Sequence, residues 1–162
     1  MTNNLTDIPF GLPGKIYRSP LPNGSFDYGL TTLDEMLAAE VSKVVVLVEE
    51  FEWRQRANVD LPALYQENNI EILHYPVSDF NVPTDLESYL EAVQQVIIWA
   101  RSGENIAIHC FAGIGRTGTF LTAMAVDIFG WNPLEAVFWI RQFIPGAVEN
   151  ETQLKFVMQS LQ

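Results

Sequence analysis

Apolar positions along the chain switch between a strand-like period of two and a helical period of 3.6. After a Pro- and Gly-rich arm at residues 9–14, Lys15-Ile16-Tyr17-Arg18 reads as a short strand and residues 19–29 as loop. Thr32 and Glu35 form a capping-box pattern ahead of Leu33, Met36 and Leu37 at helical spacing. Residues 43–48 are a β-branched run of the kind buried on both faces in a parallel sheet. A helix over 61–68, a strand over 70–75 and a loop over 76–83 follow. Thr84 and Glu87 repeat the capping pattern, and Leu86, Tyr89, Leu90, Val93, Val96, Ile97 and Ala100 then share one helical stripe that Gly103 ends. Residues 105–109 read as a third parallel-type strand and 116–129 as a helix apolar nearly all round, hence buried. Asn132-Pro133-Leu134-Glu135 starts another helix with a cap, a Pro at the first position and an acid in the first turn. A last helix begins near Asn150. This alternation predicts an α/β fold, a central, mostly parallel sheet flanked by helices. Ligands in such folds bind beyond the carboxyl ends of the strands, which here means the loops after Tyr75 and after His109.

Composition narrows the class. The 162 residues, 48% of them hydrophobic, suit one domain with a real core spanning 1–162. Residues 1–8 carry neither the basic region nor the apolar stretch of a signal peptide, and no apolar run approaches the roughly 18 to 20 residues of a membrane span. A cytoplasmic protein is expected. The formal net charge of -11 gives no footprint for nucleic acid and repels anionic lipid. Any attraction for an anionic ligand must therefore be local. The one cysteine excludes an internal disulfide and a thiolate metal cluster.

That cysteine opens the most informative segment, His109-Cys110-Phe111-Ala112-Gly113-Ile114-Gly115-Arg116-Thr117-Gly118, between a strand and a buried helix. Its glycines let backbone N–H groups turn inward around an anion, and the following helix N-terminus adds positive potential. Cys110 opens this cradle and Arg116 closes it, so thiol and guanidinium can flank one tetrahedral anion. An ordinary thiol is only about 3% thiolate at pH 7. Inward amides, a helix N-terminus and an arginine are the surroundings that make a thiol nucleophilic. Arg offers a planar fork to two phosphate oxygens, which Lys does not. The phosphate-binding positions are thus Phe111, Ala112, Gly113, Ile114, Gly115 and Arg116. Thr117 either donates toward the sulfur or is simply a first-turn residue. Gly113, Gly115 and Gly118 also match a dinucleotide-binding GxGxxG, but no strand with a terminal acid follows.

Residues 109–118 resemble the His-Cys-(x)5-Arg-[Ser/Thr] loop of the cysteine-dependent protein tyrosine phosphatase superfamily. Size and layout resemble its compact, dual-specificity-like branch. More loosely, the resemblance runs from about Ile16 to Leu161. It implies a metal-free and cofactor-free phosphomonoester hydrolase that works through a phosphocysteine intermediate. Its substrates would be phosphotyrosine proteins, with phosphoserine and phosphothreonine as further substrates.

Cleaving the ester requires a proton for the leaving oxygen. Asp79, in the Pro-bounded loop 76–83, is the candidate; Asp85 is explained by its place in the first turn of a helix. Gln153 resembles the water-positioning glutamine of some family members, although Asn150-x-x-Gln153 is itself a capping pattern. His109 is expected to brace the loop from behind, and His74 to be structural. Arg18 and Ser19 lie in a segment resembling the strand that leads into the family's sheet, with packing and substrate contact both open. Glu49, Glu50 and Glu52 are expected on a solvated loop face. A phosphoinositide or RNA 5′-phosphatase, a rhodanese-like sulfurtransferase and a silent phosphate-binding module remain as alternatives. The first two of these substrates are polyanions that call for extra cations around the loop, and the net charge is against them. The sulfurtransferase would have no use for Asp79. The silent module would be expected to lack Cys110, Arg116 or Asp79, and all three are present.

Overall fold

A computed structural model describes residues 3–161. Among the described residues five strands form one sheet in the order β1-β2-β5-β3-β4: Thr6–Ile8, Ile16–Ser19, Ile106–His109, Lys43–Val46 and Glu71–His74. Only β1 runs antiparallel, against β2; the other neighbours are parallel. Among the described residues the α-helices are α1 (Thr32–Ala38), α2 (Leu61–Glu67), α3 (Leu86–Arg101), α4 (Gly115–Phe129), α5 (Pro133–Phe143) and α6 (Glu151–Ser160). This is the α/β architecture that the alternating periods predict.

β5 is central and every one of its residues is buried, which is why its sequence is a continuous apolar run up to His109. Its register sets His109 level with Ser19 of β2 on one side and Val46 of β3 on the other. The loop after β5 therefore opens between two strands, where a ligand meets the carboxyl ends of all three. α4 continues from that loop and is buried from Gly115 to Ala125, packed against α3, α5 and α6. Close approach requires Gly118: a Cβ there would lie 2.7 Å from the Cβ of Ala147. Among the described residues, no helix is long and apolar enough to cross a membrane.

Local chemistry moves several boundaries. The first helix is flanked by Thr31, not Thr32, because the Thr32 hydroxyl is held by Asp27 at 2.6 Å while Thr31 pairs with the Glu35 side chain at 2.8 Å. At α3 the cap is Asp85 rather than Thr84; its carboxylate accepts from the Glu87 amide at 3.2 Å. Asn132 and Asn150 cap α5 and α6 as their patterns predict. Short elements without a counterpart in the hydrophobic pattern are β1, on the sheet edge, a 3₁₀ turn at Tyr28–Leu30 and a π-helical turn at Glu52–Arg56.

Candidate active site

The loop from His109 to Gly115 spends every one of its carbonyls on partners outside the loop's concave face. His109 O accepts from Leu47 N at 3.0 Å and Phe111 O from Leu21 N at 3.0 Å. Cys110 O accepts from His109 Nδ1 at 3.1 Å, Ala112 O from Arg18 Nη2 at 2.7 Å and Gly113 O from Arg18 Nε at 3.1 Å. Ile114 O accepts from Gly118 N at 2.9 Å, the first bond of the α4 turn. In a trans peptide the carbonyl and the next N–H point in opposite directions. Carbonyls turned outward leave the N–H groups of the loop turned inward. Among the described residues none of the amides from Phe111 to Arg116 meets an acceptor, so the loop is a nest of unused donors at a helix N-terminus.

Cys110 sits at this nest, 3% exposed, in a cleft of about 400 Å³. Phe26, Arg56, Asp79, Phe80, Phe111 and Glu149 form its walls. Arg116 is 3% exposed and lies under the cleft. Its Nη1 and Nη2 each donate to one oxygen of Glu52 at 2.8 Å, and Nη1 also donates to Val77 O at 2.9 Å. Asp79 Oδ1 approaches Nη2 at 3.0 Å. Burial by itself lowers the Arg116 pKa, but the Glu52 bonds and the charges of Cys110, Glu52 and Asp79 outweigh it, and the net shift is upward. The guanidinium is a permanent cation with a fixed orientation.

Glu52 corrects the sequence-based expectation of a solvated face. It is completely buried, and besides Arg116 its carboxylate accepts from the Glu49 amide at 2.8 Å. The π-helical turn is what folds Glu52 inward while neighbouring Glu50 stays outside, paired with Arg54. The same turn brings Arg56 to the mouth of the cleft, 3.1 Å from Asp79 Oδ2 and over the Phe111 ring at 5.3 Å. Asp79 is thus held between two arginines, on a loop pinned by Asn150 Nδ2 donating to Phe80 O at 2.9 Å.

His109 is fully buried. Because the Cys110 carbonyl can only accept, Nδ1 carries the proton, and Nε2 accepts from the Tyr65 hydroxyl at 2.7 Å. Burial pushes its pKa down to about 4, so the ring is neutral at physiological pH. His74 is bonded to Val48 O at 2.8 Å, away from the cleft lining. Among the described residues Thr117 Oγ1 is buried without a hydrogen-bond partner in the first turn of α4, so it does not donate to the Cys110 sulfur and its first-turn reading describes it. Arg18, left open by the sequence, donates to the loop and to Asn4 O; Ser19 bonds its neighbour's carbonyl.

Gln153 does not line the cleft. It is buried as the third residue of α6, with its amide accepted by Asn150 Oδ1 and its Oε1 accepting from Glu149 N at 2.9 Å. The capping reading of Asn150-x-x-Gln153 therefore describes its geometry. The polar group at that edge of the cleft is Glu149, whose carboxylate lies where a Cβ on Gly115 would be, 2.0 Å from that position. Desolvation and the charge of Asp79 raise its pKa, with Arg116 opposing. Sequence reasoning missed Glu52 as a buried partner, Arg56 and Glu149. The only sequence signal for Glu149 was its place just before the α6 cap.

The profile of the dual specificity phosphatase catalytic domain matches residues 35–161. Tyrosine-protein phosphatase corkscrew of Drosophila virilis is 34% identical over 128 residues, covering 69% of this chain but only 16% of that protein. The structure of Tk-PTP in its active form superposes with a TM-score of 0.77 at 30% identity, covering 99% of this chain and 97% of that one. PTPMT1 in complex with PI(5)P, at 22% identity and a TM-score of 0.77, shares the fold over 97% of this chain and 94% of that one.

Proposed function

The chain belongs to the dual specificity phosphatase family, and on that premise we propose that it hydrolyses phosphotyrosine in proteins through a phosphocysteine intermediate. The observation that carries the reading is the loop with all carbonyls outward and free amides inward, Cys110 at its start and Arg116 at its end.

In the first step the Cys110 thiolate attacks phosphorus. The S–P bond forms, the P–O bond to the leaving group breaks, and Asp79, having taken up a proton from solvent on leaving its arginine partners, passes that proton to the leaving oxygen. The inward amides and Arg116 hold the equatorial oxygens, where charge spreads in the transition state. For phosphate to reach the Arg116 edge it must take the place of Asp79 at Nη2. That exchange moves the carboxyl toward the mouth, where the leaving oxygen stands. In the second step water attacks phosphorus, the S–P bond breaks, the thiolate is restored and Asp79 takes the water's proton. His109, neutral and locked behind the loop, braces it without exchanging protons.

The aromatic substrate is favoured by the walls. Phe26 and Phe111 meet edge to face at 5.6 Å, and with Phe80 they give an aryl ring apolar surfaces beside the nest. The nearby arginines already face acceptors within the chain, which disfavours polyanionic headgroups. The test is metal-free turnover of a phosphotyrosine peptide, a phosphoserine peptide, a phosphoinositide and a 5′-triphosphate RNA by wild type and Cys110→Ser. Wild type should turn over the phosphotyrosine peptide fastest and the Ser variant none. Turnover surviving in Cys110→Ser would remove the nucleophile, and a faster phosphoinositide would move the substrate.

A further inference from the structure

Arg18 lies on β2, level with Ile108, and reaches across to the loop after β5. Its Nη2 takes Ala112 O at 2.7 Å and its Nε takes Gly113 O at 3.1 Å, while Nη1 takes Asn4 O at 3.1 Å. The first two are the carbonyls of consecutive peptides. None of the described peptides is cis. Fixing Ala112 O therefore aims the Gly113 N–H at the opposite face, and fixing Gly113 O does the same for the Ile114 N–H. Approach this close depends on Gly113, which has φ of 78°; a Cβ there would lie 2.5 Å from Arg18 Nη2 and 2.3 Å from Ser19 O. No other side chain holds those two carbonyls among the described residues.

We infer that Arg18 is a positioning residue: its guanidinium fork pins two successive loop peptides so that their amides face the bound oxyanion. This rests on the phosphate-site reading above. A planar fork is needed because two acceptors must be held at once in fixed directions, which a single ammonium does not do. Without Arg18 the two peptides are free to rotate, and the nest loses preorganisation exactly where charge develops. Arg18 touches neither substrate nor reacting atoms; it acts through the backbone it holds.

The experiment compares wild type, Arg18→Met and Arg18→Lys by tungstate inhibition, by kcat and KM on an aryl phosphate, and by thermal unfolding. Tungstate binding by Arg18→Met should weaken about 10- to 100-fold, with kcat falling by a similar factor and KM changing less. Arg18→Lys keeps the charge and the reach but not the fork, and should recover little of either. Added methylguanidine should restore part of the activity of an Arg18→Ala variant. Wild-type tungstate affinity in a folded Arg18→Met overturns the inference. Full recovery in Arg18→Lys also overturns it, because charge alone would then suffice. Should the Met variant unfold, the folded Lys variant decides by the same tungstate readout. Direct tungstate binding by calorimetry reports on Arg18 even if wild type hydrolyses no phosphoester, which separates this inference from the catalytic one.

Discussion

Replacing Asp79 by Ala should push affinity and turnover in opposite directions. In the structure Asp79 lies 3.0 Å from Arg116 Nη2, on the edge that the proposed mechanism gives to phosphate, and is held there by Arg56 at 3.1 Å. The carboxylate is 24% exposed, so the competing ion pair is partly screened and is worth about 1–2 kcal/mol. Removing it leaves Arg116 in place, because the two Glu52 bonds and the Val77 carbonyl still hold the guanidinium. Inorganic phosphate should then bind about 5- to 30-fold more tightly. Turnover should fall about 10²- to 10⁴-fold, since the leaving oxygen has lost its proton donor. The loss should be steepest for alkyl and weakly acidic phenolic leaving groups. Steady-state kinetics over a leaving-group series, with phosphate as competitive inhibitor, reads both effects. Weaker phosphate binding in Asp79→Ala would show that Asp79 does not compete for Arg116. A kcat loss independent of the leaving group would take the proton-donor role away from it.

Glu52→Gln removes the buried half of the Arg116 ion pairing and leaves only the partly exposed Asp79 as its counter-charge; a loss of about 3–5 kcal/mol is expected, a Tm roughly 6 to 20 °C lower for a domain of this size. Differential scanning calorimetry checks this, and a Tm within 2 °C of wild type would contradict the geometry. His109 has a folded pKa depressed to about 4 against an ordinary 6.5, so the unfolded chain binds more protons between those values. Its contribution to stability is complete above pH 6.5 and declines by up to about 3 kcal/mol as pH falls to 4. Urea unfolding across that window should show a shallower pH slope in His109→Asn than in wild type; parallel slopes would argue that the ring is not held neutral.

The elements with long, one-period patterns were legible in the chain. The α3 stripe and the nearly all-round apolar α4 follow from their residues because burial of a whole face or most of a cylinder leaves a repeated mark. β1 left none: three residues on a sheet edge, one exposed and one half-buried, give no alternation to read. The caps at Asn132 and Asn150 were local and legible, whereas that at α1 depended on Asp27, five residues away and brought in by a 3₁₀ turn at Tyr28–Leu30.

The site divides along the same line. Its loop is contiguous, so Cys110 through Arg116 stood out at once. The residues that hold the loop come from elsewhere: Arg18 is 95 positions from the Gly113 carbonyl it binds, and Glu52 is 64 from Arg116. Glu52 in particular looked like one of three loop acids, and only the π-helical turn singles it out. This matters for a chain of net charge -11. Its cations at the cleft are already matched: Arg116 by Glu52 and Asp79, Arg56 by Asp79, and Arg18 by backbone carbonyls. On the proposed reading, the attraction for phosphate therefore does not come from surplus positive charge. It comes from amide dipoles that the outward carbonyl bonds aim inward, and from one exchange in which a dianion replaces the Asp79 carboxylate on Arg116. A single negative charge would be traded for two at the same guanidinium edge, and the displaced carboxylate would take a proton from solvent and serve as the acid. In the proposed mechanism, binding and activation of the proton donor would then be one event, set by residues that the loop sequence does not contain.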